Sequence, residues 1–361
     1  MLFRLVFSGL FISLLSSFVM ASGDSARYRI VFDATWSQET HPTDFPRSPH
    51  FSGLIGGTHN ADIAFWETGE LATMGIEIMA ETGGKAGLTA EVNAAIADGT
   101  AEFLLSGSGI GRSPNSTSLE FEVSSSHSLV TLVSMVAPSP DWFVGVRGLD
   151  LMPEGEWLAK STRELLVYDS GTDSGPSFSS RNDNTHPAEP ISLLDEFPFE
   201  NAPPLGTFTF TRIIDGDFDD SGDLTGIDID LLSAAVSSGN TDSKFDLNGD
   251  NTVDQGDRAH WISDLAQTYA GDSNLDGEFN TTDLTFIFQA GEYEDGIAGN
   301  STWATGDWNG DADFDTTDLV SAFAGGGFEA GPRLAAQSVP EPSSISLLIG
   351  SALLLFVKRR V

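Results

Sequence analysis

The feature that most constrains this chain is a spacing of oxygen-bearing side chains that occurs four times between residues 213 and 331. Each occurrence is twelve residues long and carries such side chains at positions 1, 3, 5, 9 and 12. The first runs Asp217, Asp219, Ser221, Thr225 and Asp228. The second runs Asp246, Asn248, Asp250, Asp254 and Asp257. The third has Asp272, Asn274, Asp276, Asn280 and Asp283, and the fourth Asp307, Asn309, Asp311, Asp315 and Asp318. Without a metal, carboxylates crowded this closely repel one another. Calcium takes roughly six to eight oxygens at about 2.3–2.6 Å, and this spacing can gather them around one ion. Position 6 needs a left-handed backbone, which Gly222 and Gly277 adopt freely, Asn251 tolerates and Ala312 resists. Position 7 contributes a backbone carbonyl, at Asp223, Glu278 and Asp313 among others. An apolar residue recurs at position 8 (Leu224, Val253, Phe279, Phe314) and would anchor each loop in a small core. Position 12 would open an exit helix, whose N-terminus favours an acid.

These loops fit the EF-hand calcium loop, and four matches make chance a poor explanation. Asp at position 12, with an exit helix but no clear helix before the loop, resembles the dockerin type I repeat. That resemblance implies two dockerin-like pairs and a cohesin-like docking partner, although the helix residues that would make such contacts are not clearly matched. The loop starts are unevenly spaced, 29, 26 and 35 residues apart, and Arg258 stands where an apolar residue is usual. The third loop is expected to be the most complete and the fourth the weakest, because left-handed Ala312 costs about 1–2 kcal/mol. In chelator the whole segment is expected to be largely unfolded.

Charge follows the same map. The chain has 17 Lys+Arg against 53 Asp+Glu, a formal net charge of −36. About 26 of the acids, against only Lys244 and Arg258, lie between residues 213 and 331. Such a balance repels phosphate backbones, so no nucleic-acid partner is expected. Cysteine is absent, which excludes disulfide scaffolds, thiol catalysis and thiolate metal sites.

Residues 26–213 read differently. Tyr28 to Phe32 is a β-branched and aromatic run, Leu119, Phe121 and Val123 alternate with Glu120 and Glu122, and Phe208 and Phe210 alternate with threonines. Leu129 to Val136 is an apolar run, Leu88 to Ala97 has helical spacing, and Ser106 to Ser118 and Ser170 to Asn184 are rich in turn formers. Many short strands between turns imply a β-sandwich. No Ser/His/Asp cluster has hydrolase spacing, and the single Asp173-Ser174-Gly175 lacks the second carboxylate an aspartic protease needs, so no enzyme is expected. The six histidines fall mostly in turn blocks and read as structural, and Trp142-Phe143 reads as core more readily than as an exposed contact pair.

Several blocks of this segment resemble the spondin N-terminal domain: Tyr28 to Ser37, Phe51 to Gly56 with His59-Asn60, Ser139-Pro140-Asp141-Trp142-Phe143-Val144-Gly145-Val146, and Tyr168 to Gly175. The resemblance implies a C2-like antiparallel β-sandwich, a role in extracellular matrix or adhesion, and a divalent cation held by loop carboxylates. Carried onto this chain, those ligands are Glu122, Asp141 and Asp169, with Asp173 as a fourth. Spacing alone reads the same residues as a solvated strand face and turn caps.

The two ends read as addresses. Residues 1–21 have Arg4, an apolar stretch from Leu5 to Val19, and Val19 and Ala21 at the small-residue positions of a signal-peptide cleavage site. Residues 332–344 form a linker holding Val339-Pro340-Glu341-Pro342, and residues 345–361 hold an apolar run followed by Lys358, Arg359 and Arg360. That run spans about 20 Å, short for a hydrocarbon core of about 30 Å. The three-part tail resembles the PEP-CTERM sorting signal of Gram-negative bacteria, which implies an exosortase-type protease; a plain C-terminal membrane anchor is the alternative. The expectation is therefore an exported surface or matrix protein. It would pair a mainly β, spondin-like sandwich (26–213) with a small α-helical, dockerin-like Ca²⁺ module (214–331), and would bind a matrix, polysaccharide or surface-protein ligand.

Overall fold

The computed structural model describes residues 25–333; the stretches expected to be a signal peptide, most of the linker and the C-terminal apolar segment lie outside the described residues. The described chain divides into two compact units, one ending at Arg212 and one starting at Ile213.

The first unit is built on antiparallel sheets. Its strands are β1 (Ser25–Ala34), β2 (His50–Phe51), β3 (Ile55–His59), β4 (Ala101–Ser106), β5 (Asn115–Ser124), β6 (Leu129–Ala137), β7 (Trp142–Asp150), β8 (Lys160–Glu164), β9 (Val167–Asp169), β10 (Ser192–Leu193) and β11 (Gly206–Ile213). One sheet has the order β5-β1-β11-β8 and the other β10-β9-β7-β6-β3-β4, with β2 also paired to β6. Alternation dictates the first sheet. Tyr28, Ile30 and Phe32 of β1, Phe121 and Val123 of β5, and Phe208 and Phe210 of β11 all turn inward, while the residues between them face water. They share one core with Val130, Leu132 and Val136 of β6 and Val144 and Val146 of β7, so the two sheets pack face to face.

Strand β6 does not alternate, because both of its faces are covered. Its other face, through Val133, Met135 and Ala137, packs with Phe143 against two helices, α1 (Met74–Thr82) and α2 (Ala86–Ala97). The apolar spacing of Leu88 to Ala97 foretold α2. Helix α1 had no comparable signal, because it is short and contains Gly75. Thr73 caps it, accepting from the Ile76 amide at 3.2 Å, and left-handed Gly83 ends it. The turn-rich stretch expected up to Ser118 is instead strand from Asn115 onward, since β1 supplies a partner along its whole length. Trp142 and Phe143 are core, and His41 and His59 bond to Pro203 and Thr131 inside the fold.

The α-helices of the second unit, among the described residues, are α3 (Gly226–Ser237), α4 (Gln255–His260), α5 (Thr281–Ala290) and α6 (Thr316–Ala324), one after each acidic loop. Its core holds Ile229, Leu232, Trp261, Phe279, Ile287, Trp303, Trp308 and Phe314. The position-8 residues behave as expected: Phe279 and Phe314 are buried in that core, and Leu224 and Val253 pack against it. No helix among the described residues is long and apolar enough to cross a membrane.

Candidate cation-binding sites

Two kinds of carboxylate cluster stand out, one in each unit. In the first unit the cluster lies where β7 begins and β9 ends. The register places Trp142 opposite Asp169, so Asp141 and the turn after Asp169 meet at adjacent strand ends. Asp141 is fully buried. Its Oδ2 accepts from the Ser170 hydroxyl at 2.9 Å, the Thr172 amide at 2.8 Å and the Asp173 amide at 3.0 Å. Its Oδ1 is buried and has no protein partner. Asp169 accepts from the Gly171 amide at 2.8 Å and the Trp142 indole at 3.1 Å. Burial, and then the nearby Asp141, push its carboxyl up to about 6. Asp173 accepts from the Gly175 amide at 2.8 Å and the Asp183 amide at 3.1 Å. The turn is glycine-dependent: Gly171 has φ +75°, and a Cβ there would lie 2.1 Å from the Glu189 carbonyl oxygen.

One further carboxylate belongs to this cluster. Glu81, in the last turn of α1, bonds to the Thr172 side chain and interacts with Asp141 and Asp173, yet its Oε1 is buried without a partner. Burial raises its carboxyl above the ordinary range. No local motif marks it, since only the packing of α1 on the sheet brings it there. Glu122, in contrast, does not join the cluster. It sits on the exposed face of β5, opposite Arg27, in the other sheet and beside β4. From β7 to β4 is three strand spacings, on the order of 14 Å. The carry-over of Glu122 as a ligand is corrected accordingly: period 2 turns it to the surface while its neighbours Phe121 and Val123 fill the core.

The four acidic loops of the second unit share one hydrogen-bond plan. The position-1 carboxylate accepts from the amides of positions 5 and 6: Asp217 from Ser221 (3.1 Å) and Gly222 (2.7 Å), and Asp307 from Asp311 (3.0 Å) and Ala312 (2.9 Å). Asp246 and Asp272 do the same. The position-12 carboxylate closes a capping box with position 9 at the head of each exit helix. Its other oxygen accepts from the amide of position 2, as Asp228 does from Phe218 at 2.7 Å and Asp318 from Trp308 at 2.9 Å. All four position-12 residues are fully buried. Position 6 is left-handed throughout, at Gly222, Asn251, Gly277 and Ala312. Position 4 is left-handed too, at Asp220, Gly249, Leu275 and Gly310, a requirement that the side-chain spacing did not reveal.

Asp217, Asp219 and Asp228, and likewise Asp307, Asp311 and Asp318, bring carboxylate oxygens within 4.8 Å of one another. These are the first and fourth loops, whereas the third was expected to be the most complete. In the third, the Thr268 hydroxyl donates to Asp272, and Asn274 donates to Asp276 at 2.9 Å. Burial pushes the Asp272 carboxyl up to about 6, and also raises those of Asp217, Asp307 and Asp318. The donor sets contain only oxygen, which suits a hard divalent cation such as Ca²⁺ rather than a thiophilic metal.

Comparison with known proteins bears on the first unit. The Spondin_N family model matches residues 26–205. Those residues form a spondin N-terminal domain. Rat spondin-2 is 34% identical over 204 residues, covering 52% of this chain and 62% of that protein. Human spondin-2 is 37% identical over 192 residues, covering 52% and 57%. Rat spondin-1 is 33% identical over 189 residues, covering 50% and 23%. The chain thus spans less than two thirds of each of these relatives, and the similarity is carried by the spondin domain. The Asp141 cluster lies wholly inside it.

Proposed function

We propose that this chain is an exported, calcium-stabilised bacterial surface or matrix protein. In this reading its spondin domain engages an extracellular ligand such as a polysaccharide or a surface protein. The observation that carries the reading is the Asp141 cluster. One oxygen of a fully buried carboxylate is saturated by donors and the other has no partner, while Asp169, Asp173 and Glu81 stand close by. A cation supplies the missing partner and relieves the repulsion. Asp141, Asp169, Asp173 and Glu81 would hold it, and the bound ion would fix the loops at that end of the sandwich as a recognition surface. The match to a family whose animal members belong to matrix and adhesion supports the same direction.

The acidic loops extend the proposal. Each would hold one Ca²⁺ through positions 1, 3, 5 and 12 and the carbonyl of position 7, making the second unit a metal-rigidified spacer. Export through a cleaved leader and processing of the Pro-Glu-Pro tail by an exosortase-type protease belong to the same reading. The test is a calorimetric calcium titration of the purified chain and of Asp141→Ala, with calcium-dependent binding to extracellular polysaccharide and to whole cells. Equal heats for the two proteins in the tightest phase would argue against a site at Asp141. Binding unaffected by EDTA would remove calcium from recognition.

A second reading has its own support. Ile227 of α3, Phe286 of α5 and Val320 of α6 are apolar and roughly half or more exposed on the exit helices. The helices could therefore dock a cohesin-like domain, with the spondin domain as cargo. Calcium-dependent capture of a purified cohesin domain would favour this reading, and no capture would leave the spacer role.

A further inference from the structure

We propose that Arg258 couples the second acidic loop to the fourth, so that the two fill with calcium cooperatively; this rests on reading the loops as calcium sites. Arg258 directly follows Asp257, the position-12 residue of loop two, within the single short helix α4. Whatever fixes the Asp257 carboxylate also fixes the backbone that carries Arg258. The side chain is 3% exposed and runs to loop four. There Nη1 donates to the Asn309 carbonyl at 2.6 Å and Nη2 to the Trp308 carbonyl at 3.3 Å. The guanidinium has two more acceptors: Nε donates to the Ser233 hydroxyl at 2.9 Å, and Nη1 also to Gln255 Oε1 at 2.9 Å.

The link reaches the far ligand through one peptide unit. The Trp308 carbonyl accepts from Arg258, and the amide at the other end of that peptide bond, on Asn309, donates to Asp318 Oδ1 at 2.9 Å. Asp318 is position 12 of loop four. Asp257 is thus linked to the position-12 carboxylate of loop four by the backbone of α4 and then by hydrogen bonds through a guanidinium and a peptide dipole. Gly310 makes room for it, because a Cβ there would lie 2.7 Å from Arg258 Cζ. The arginine that replaced the usual apolar residue after loop two is therefore a positioning residue for loop four. Lysine, with no planar fork, could not serve both carbonyls in this way.

Hydrogen–deuterium exchange of the full chain over a calcium titration tests this, because the peptide covering residues 305–320 reports on loop four alone. Disabling loop two with Asp246→Ala and Asp250→Ala together is expected to raise the calcium concentration that half-protects this peptide by about fivefold or more. In an Arg258→Met background the same lesion should shift it by less than about twofold. Gly310→Ala, which crowds the guanidinium and keeps Arg258, should also reduce the shift that the loop-two lesion causes; the strain it adds at φ +86° is present with and without that lesion, and it covers the case in which Arg258→Met does not fold. Arg258→Lys keeps the charge without the fork and should also lose the coupling. Equal shifts in every background, no shift in the parent chain, or full coupling in Arg258→Lys would each overturn the proposal. If no peptide between 213 and 333 gains protection with calcium, the calcium reading itself fails and the coupling falls with it.

Discussion

A reciprocal pair of substitutions at loop position 6 tests the acidic loops at their backbone. Ala312 holds φ +70° in the fourth loop, and Gly277 holds φ +86° at the same place in the third. A left-handed residue with a Cβ costs about 1–2 kcal/mol relative to its right-handed form. Glycine avoids that cost but gives back about 0.4–1 kcal/mol through the greater freedom of its unfolded chain. Ala312→Gly should therefore stabilise the second unit by a net of about 0.5–1 kcal/mol. Gly277→Ala should destabilise it by a similar amount. A Cβ at Gly277 would meet nothing within 4 Å, so no clash is mixed into the second value. The assay is urea denaturation of the full chain, read in calcium and again in EDTA. The shift should appear in the midpoint with an unchanged slope. With calcium saturating, the strain is set by loop geometry alone, so the two substitutions must move in opposite directions. A destabilised Ala312→Gly, or a neutral Gly277→Ala, would refute the claim that position 6 is held left-handed by the loop.

Three further outcomes follow from the same structure. Burial raises the carboxyls of Asp169 and Asp272 to about 6, above their unfolded values near 4, so their contribution to folding is complete below about pH 4 and is lost as pH rises through 6. In EDTA the melting temperature should accordingly fall between about pH 4.5 and 7, and saturating calcium, which needs the ionised carboxylates, should flatten or reverse that slope; a rise with pH in EDTA would contradict it. Trp303→Phe removes the indole donor to the Asp272 carbonyl, a bond of 2.7 Å in the core, and should cost the second unit about 1–3 kcal/mol in denaturant midpoint. Asp141→Asn replaces an acceptor that serves two backbone amides and the Ser170 hydroxyl with a side chain that has half its acceptor capacity, and should cost about 2 kcal/mol or more while abolishing calcium stabilisation of the spondin domain.

What could be read from the residues depended on whether an interaction was local. The sheet faces were legible at Tyr28, Phe121 and Phe208, because period 2 needs only neighbours along the strand. The four loops were legible because each closes on itself within twelve residues, from the position-1 acid to the capping box at position 12. Helix α1 and Glu81 were not, since nothing in Met74–Thr82 announces that its last turn meets the turn after β9. Glu122 failed in the opposite sense: a family correspondence proposed it as a ligand, and the alternation of its own strand turned it away from the site. Arg258 shows the same limit within the loops, where it looked like a flaw in the pattern until Trp308 and Asn309 were seen to face it.

About two thirds of the −36 sits between residues 213 and 331, yet the position-12 acids are fully buried there. Buried carboxylates survive because backbone amides point at them: the amides of positions 2 and 9 at position 12, and those of positions 5 and 6 at position 1. These donors hold the loop in shape with or without an ion. The chelated state should therefore keep local turns at positions 1 to 6 while losing the packing between helices, a milder loss than the wholesale unfolding that charge density alone suggests. Far-ultraviolet and near-ultraviolet circular dichroism in EDTA separate the two: a large loss of the near-ultraviolet signal from Trp261, Trp303 and Trp308 with most helical signal retained fits the amide-held loops, and simultaneous loss of both returns the argument to electrostatic repulsion.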